Sequence, residues 1–206
     1  MRKGLTKIKL IAVAIFVAAL ITIAFFGYYH GLLDDFSNAG DVLQTSLSNR
    51  ITTSTCFVES MTTYGEKFFK NGGTENDSEY LKLLKYDSSK DSYSMDGLKG
   101  TTYTKLIGNL TGTGTIPNSG IDRDEINMAL SLNDYFAQFS KRLPEIAWIY
   151  YTSENGFINM YPWISSTEFN YTDELKDVAF YSAAMPENDP SRKLVWTPVY
   201  VDAAGK

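Results

Sequence analysis

The chain has 206 residues, with 19 Lys and Arg against 24 Asp and Glu, a formal net charge of −5, one histidine and one cysteine. Four of the basic residues (Arg2, Lys3, Lys7 and Lys9) precede residue 10, so the rest is more acidic still, and a field of that sign repels phosphate backbones and anionic headgroups. A single cysteine rules out an internal disulfide, one His and one Cys far apart do not supply the usual zinc ligands, and the lone His30, beside an apolar run, argues against a Ser-His-Asp or Cys-His nucleophile.

Residues 10–29 carry no charge and are led by Leu, Ile, Val, Ala and Phe. At about 1.5 Å per helical residue such a run spans roughly 30 Å, the thickness of a bilayer's hydrocarbon core. The basic residues before it and Asp34-Asp35 after it predict a cytoplasmic tail over 1–9, a transmembrane helix over 10–29, and residues 30–206 outside the cytoplasm. A cleavable signal peptide shares the basic start and apolar middle, but no small-x-small site follows Phe25-Phe26-Gly27-Tyr28-Tyr29. His30 sits at the expected boundary, where an interfacial side chain is a simpler reading than a general base.

From Leu32 to Phe68, steps of three or four connect Leu32, Phe36, Ala39, Leu43, Leu47, Ile51, Ser54, Val58, Met61, Gly65 and Phe68. This stripe predicts a stalk helix over 30–71, closed by Asn71-Gly72-Gly73, with a weak point at Thr52-Thr53-Ser54-Thr55. Its near-heptad spacing predicts a homodimer paired through the stalk, with packing on the sheet as the alternative.

Residues 72–206 then form a single domain. A short helix is expected over 78–85, followed by a loop-rich stretch over 86–120 with one strand near 103–110. Gly108-Asn109-Leu110-Thr111-Gly112-Thr113-Gly114 lacks the Lys of a phosphate-binding loop and reads as a turn-rich loop. Asp122-Arg123-Asp124-Glu125 reads as a capping box with Asp122 at the N-cap, which explains these carboxylates more simply than a calcium site. Met128, Leu132, Tyr135 and Phe139 supply the helix face behind it, and Pro144 ends it.

Residues 146–152 and 157–163 are aromatic and β-branched runs around Ser153-Glu154-Asn155-Gly156, a hairpin signature. With Thr152 opposite Phe157, alternation puts Trp148, Tyr150, Asn159, Tyr161 and Trp163 on one face and Ile149, Tyr151, Ile158 and Met160 on the other. The first face, mixing large aromatics with an amide, is the candidate ligand-binding surface, and Tyr181, Trp196, Tyr200 and Asp202 join it from the later segment. No metal or cofactor site is predicted.

Several motifs in order also resemble the extracytoplasmic Cache sensor domains, PAS-like and of the double-Cache type, of bacterial membrane receptors. These are Tyr93-Ser94-Met95-Asp96-Gly97-Leu98, Gly108-Asn109-Leu110-Thr111-Gly112, Trp148-Ile149-Tyr150-Tyr151-Thr152, Asn155-Gly156-Phe157-Ile158-Asn159-Met160-Tyr161-Pro162-Trp163, Pro186-Glu187-Asn188-Asp189-Pro190-Ser191-Arg192 and Trp196-Thr197-Pro198-Val199-Tyr200-Val201-Asp202. The resemblance implies an α+β fold: transmembrane helix, stalk helix and an antiparallel PAS-like sheet flanked by helices and loops, here without its closing strands. It implies a signal-transduction receptor in the bacterial inner membrane, its sensor in the periplasm. A small molecule would bind outside, and a histidine kinase, diguanylate cyclase, chemoreceptor or phosphatase module would lie beyond a second membrane helix. Val178 stands where amino-acid-binding members carry an arginine, ahead of Phe180-Tyr181, so a neutral or cationic ligand is expected. The alternative is a membrane-anchored surface binding or adhesion module without a signalling role.

Overall fold

The computed structural model describes residues 2–73, 76–202 and 204–205, with backbone alone for 2–18. The chain divides into two compact units, Met1–Thr53 and Ser54–Lys206. The first is wholly helical where described. It belongs to α1, which runs as one helix over Arg2–Lys70. No break interrupts α1 at Thr52-Thr53-Ser54-Thr55. The hydroxyls just downstream fold back onto their own helix, Ser60 Oγ donating to the Cys56 carbonyl at 2.6 Å and Thr63 Oγ1 to that of Glu59 at 2.9 Å, which removes them as competitors for the backbone. Among the described residues no helix is long and apolar enough to cross a membrane. The side chains of residues 10–18, nearly half of the expected span, lie outside the described residues.

The second unit is α+β. Its sheet has five antiparallel strands, β1 (Lys85–Asp87), β2 (Ser92–Ser94), β3 (Asn109–Thr113), β4 (Ile149–Thr152) and β5 (Phe157–Tyr161), in the order β1-β2-β3-β5-β4. Two helices, α2 (Ile121–Ser131) and α3 (Asn133–Arg142), cover one side together with the last turns of α1. Residues 164–182, including a one-turn helix at Asp173–Asp177 and the short α4 (Ala179–Ser182), cover the other. The helix expected over 78–85 shrinks to one turn at Leu81–Leu83, and the strand expected near 103–110 starts at Asn109, after a turn of helix at Thr102–Lys105.

The glycine-rich stretch is a strand, not a turn-rich loop. A Cβ on Gly108 would meet the Met160 carbonyl oxygen at 2.3 Å, and one on Gly112 would meet the Tyr93 ring at 2.3 Å, so both glycines mark close approaches. The expected capping box does not form either. Gly120 is the N-cap of α2, Asp122 lies inside the first turn, and no side chain caps it. Glu125 serves the hairpin instead, accepting from Tyr151 OH and from Asn155 Nδ2, each at 2.7 Å.

On α1 the line that packs on the core is the half-buried Phe57, Met61, Tyr64, Phe68 and Phe69, with Phe57 stacked on Phe139 of α3 at 3.8 Å between centroids. Of the expected stripe in this part, Met61 and Phe68 pack on this core and Gly65 is half-buried, while Val58 remains 48% exposed and Phe57 takes the packed position beside it. On α3, Phe136 takes the interior while Tyr135, expected there, is 41% exposed.

Candidate functional site

The hairpin connection decides which side chains share a face. Ser153 N–H bonds to the Phe157 carbonyl at 2.9 Å, Ser153 Oγ accepts from Asn155 N–H at 2.8 Å, and Gly156 takes φ 82°. The loop is thus Glu154-Asn155-Gly156, a three-residue connection ending on a left-handed glycine, one residue shorter than the sequence reading gave. The register becomes Ile149 opposite Tyr161, Tyr150 opposite Met160, Tyr151 opposite Asn159 and Thr152 opposite Ile158. A one-residue slip exchanges faces, so the expected five-residue surface is split by the sheet.

Asn159 and Tyr161 face the helices. Asn159 is fully buried and donates from Nδ2 to the Ala129 carbonyl at 2.6 Å, while Tyr161, 9% exposed, packs with Leu132, Phe136, Phe139 and Ile149. Both stand on the helix-covered face, and Asn159 Oδ1 is buried there without a hydrogen-bond partner. Trp163, past the cis Tyr161–Pro162 bond, is half-buried, and its indole N–H is buried without a hydrogen-bond partner.

On the other face, Trp148 and Tyr150 pack over Ile158, Met160, Tyr171 and Leu175. The Phe180 ring of α4 meets Tyr150 edge-on at 4.9 Å between centroids. Tyr200 reaches the same place, its hydroxyl 3.5 Å from that of Tyr150. Burial, the hydrogen bond to Tyr200 and the negative charge of Asp202 together hold the Tyr150 phenol protonated far above the ordinary tyrosine range. Thr152 shares this face by alternation, and its hydroxyl is buried without a partner. Trp148, Tyr150, Tyr200 and Asp202 are therefore brought together, and sequence reading missed Thr152 and Phe180. The Tyr150–Thr152 alternation carried the signal for Thr152; Phe180 needed the path of residues 162–180.

Two other candidates lie apart. Tyr181, next to Phe180 on α4, is half-buried outside the packed cluster of Trp148, Tyr150 and Phe180, and burial, then the charge of Glu154, raise its pKa against the lowering effect of Lys176. Trp196 is 60% exposed and lines an open groove of about 940 Å³ with Val58, Glu59, Thr62 and Glu66 of α1. The segment 193–201 has no regular structure.

A separate cavity of about 420 Å³ opens on the helix side of β4, walled by Phe57, Met61, Met128, Leu132, Phe136 and the β4 residues Ile149, Tyr150 and Tyr151. Among the described residues no group of three His, Cys, Asp or Glu side chains is placed to hold a metal ion. No family profile, curated protein or solved structure matches the chain.

Proposed function

We propose that this chain is the ligand-sensing region of a transmembrane signal-transduction receptor, anchored by residues 10–29 in a bacterial inner membrane with its α+β unit outside. The observation that supports this best is the cluster of Trp148, Tyr150, Phe180, Tyr200 and Asp202 with an unsatisfied Thr152 hydroxyl on the same face. Three remote segments supply it, and a buried hydroxyl without a partner costs about 1–3 kcal/mol unless something bonds to it. A small molecule with one acceptor or donor for Thr152 and an apolar or cationic body would lie against the rings. Asp202 is the nearby charge and Val178 brings none, so cations and neutral molecules are favoured over carboxylates.

Strand β4 is the element that transmits binding. Tyr150 faces the cluster, while its neighbours Ile149 and Tyr151 pack on the opposite side with the core that includes Phe57 and Met61 of α1. A ligand that prefers one β4 position biases the packing of α1, and α1 continues without interruption toward the membrane segment. A differential affinity worth about 1–3 kcal/mol suffices for such coupling. Pairing of two copies through α1 belongs to the same proposal. Leu32, Phe36, Leu43, Leu47 and Ile51 are 41–71% exposed and spaced for a helical seam.

The test is a thermal-shift screen of the full chain in detergent against quaternary ammonium compounds, amines, neutral amides and simple carboxylates. Hits among the cations or amides, weakened by Asp202→Asn or Thr152→Val, support the reading. Hits confined to carboxylates, or hits insensitive to both substitutions, refute it.

A further inference from the structure

We infer that the cavity between α1 and β4 is a second binding site, on the opposite side of β4 from the ring cluster around Tyr150, and that it takes a small uncharged aromatic molecule carrying one hydroxyl group.

All of its walls belong to the unit Ser54–Lys206. The volume of about 420 Å³ falls within the range of roughly 300–1,000 Å³ usual for small-molecule pockets. Met128, Leu132 and Phe136, each no more than 3% exposed, make its floor, so it enters the core rather than lying on the surface. Phe57 and Met61 of α1 form the facing wall, and Phe57 is held there by its stack on Phe139 at 3.8 Å and its tilted contact with Phe136 at 6.4 Å. Protein interiors keep few voids larger than a water molecule, so one this large marks a place for an occupant.

The walls decide the chemistry of that occupant. None of the residues lining the cavity carries a formal charge. Two of their hydroxyls are already engaged, Thr62 Oγ1 donating to the Val58 carbonyl at 3.1 Å and Tyr151 OH to Glu125 at 2.7 Å. An ion would lose its hydration here without meeting a counter-charge, so the ligand is neutral. Met61 from α1 and Met128 from α2 bring polarizable sulfur, Phe57 and Phe136 bring rings, and both kinds of contact favour an aromatic body.

One polar contact remains, from the backbone of β4. Tyr150 lines the cavity although its side chain packs on the far face with Trp148 and Phe180, so what it turns to this side is its main chain. Because Ser153 N–H bonds to the Phe157 carbonyl, alternation makes Tyr151–Asn159 and Ile149–Tyr161 the bonded pairs and leaves the N–H and C=O of Tyr150 directed away from β5. β4 ends the sheet order, and among the described residues no strand pairs with that edge. A single hydroxyl both donates and accepts, which matches this donor and acceptor. Gly65 adds room: it lines the cavity without a side chain, and a Cβ there would meet only the Met128 sulfur, at 3.9 Å. Glycine inside a helix is unfavourable relative to alanine, so the space at this position is kept at a cost in stability.

Methyl NMR spectra of isotope-labelled methionines, in the full chain reconstituted in lipid nanodiscs, test this with p-cresol as the probe. Met61 and Met128 wall the cavity, whereas Met160 packs in the cluster on the far face, so the two sites report separately. p-Cresol should shift the Met61 and Met128 signals saturably through its ring current and leave that of Met160 in place. The charged analogues p-toluate and benzylammonium should not shift them, and toluene, which leaves the Tyr150 backbone unpaired, should bind more weakly. Gly65→Leu fills the cavity with a better helix former and should weaken p-cresol binding by an order of magnitude or more, whereas Asp202→Asn should leave it unchanged. Should Gly65→Leu fail to fold, the methionine shifts and the charged analogues decide in the unaltered chain. Shifts at Met160 in place of Met61 and Met128, no saturable shift, equal binding of a charged analogue or of toluene, binding that survives Gly65→Leu, or binding lost in Asp202→Asn overturns the inference.

Discussion

Replacing Tyr161 with alanine separates the register observed here from the one the sequence suggests. Tyr161 is 9% exposed and stands in the core between the sheet and the helices, against Leu132, Phe136, Phe139 and Ile149. Truncating a buried aromatic ring to alanine removes its transfer free energy and leaves a cavity, about 3–5 kcal/mol for Phe-sized side chains. For a unit of this size each kcal/mol lowers Tm by roughly 2–4 °C, so Tyr161→Ala should lose roughly 6–20 °C. Urea unfolding followed by far-UV circular dichroism should show the midpoint fall with the slope unchanged. Trp196→Ala, at a 60% exposed position, should stay within about 0.5 kcal/mol of the parent. A silent Tyr161→Ala that removes ligand-induced stabilisation would refute the reasoning and restore Thr152 opposite Phe157.

Gly108→Ala should destabilise by about 1–3 kcal/mol or more, because its Cβ would lie 2.3 Å from a backbone oxygen that cannot move without opening the β3–β5 pairing; chemical denaturation measures it. At high pH, Tyr80 provides a dated loss: burial, then its hydrogen bond to Asp134, push its pKa from 10.0 to about 12, so the fold holds this proton more tightly than the unfolded chain does. The stability it contributes is complete below pH 10 and is lost as pH rises through 12. Tyr150 and Tyr151, also raised chiefly by burial, should ionise with global unfolding, seen as a cooperative rise in tyrosinate absorbance, whereas gradual titration in a folded chain would contradict their burial.

Local patterns made much of the fold legible. Steps of three and four along residues 32–68 gave α1, Asn71-Gly72-Gly73 gave its end, and the aromatic runs around Glu154-Asn155-Gly156 gave the hairpin. Register was not legible, because it turned on whether Ser153 belongs to the loop or the ladder, and its hydroxyl settles that by bonding to Asn155 N–H. The stretch around Gly108 and Gly112 read as a loop because composition cannot distinguish a glycine in a turn from one under a tyrosine ring. Glu125 satisfied a capping pattern locally but took long-range partners, Tyr151 and Asn155, that no spacing rule contains. The same slip of one residue explains the candidate site. Trp148 and Tyr150 came out together, and Asn159 and Tyr161 did not.

The central claim is that a small molecule binds against Tyr150 on the sheet face away from the helices, and hydrogen exchange with and without the strongest hit of the thermal-shift screen tests it most directly. Ligand should slow exchange in residues 148–152, 178–181 and 200–202 together. Protection confined to residues 57–69 and 128–136, the walls of the cavity on the helix side, or no localised protection at all, would contradict it.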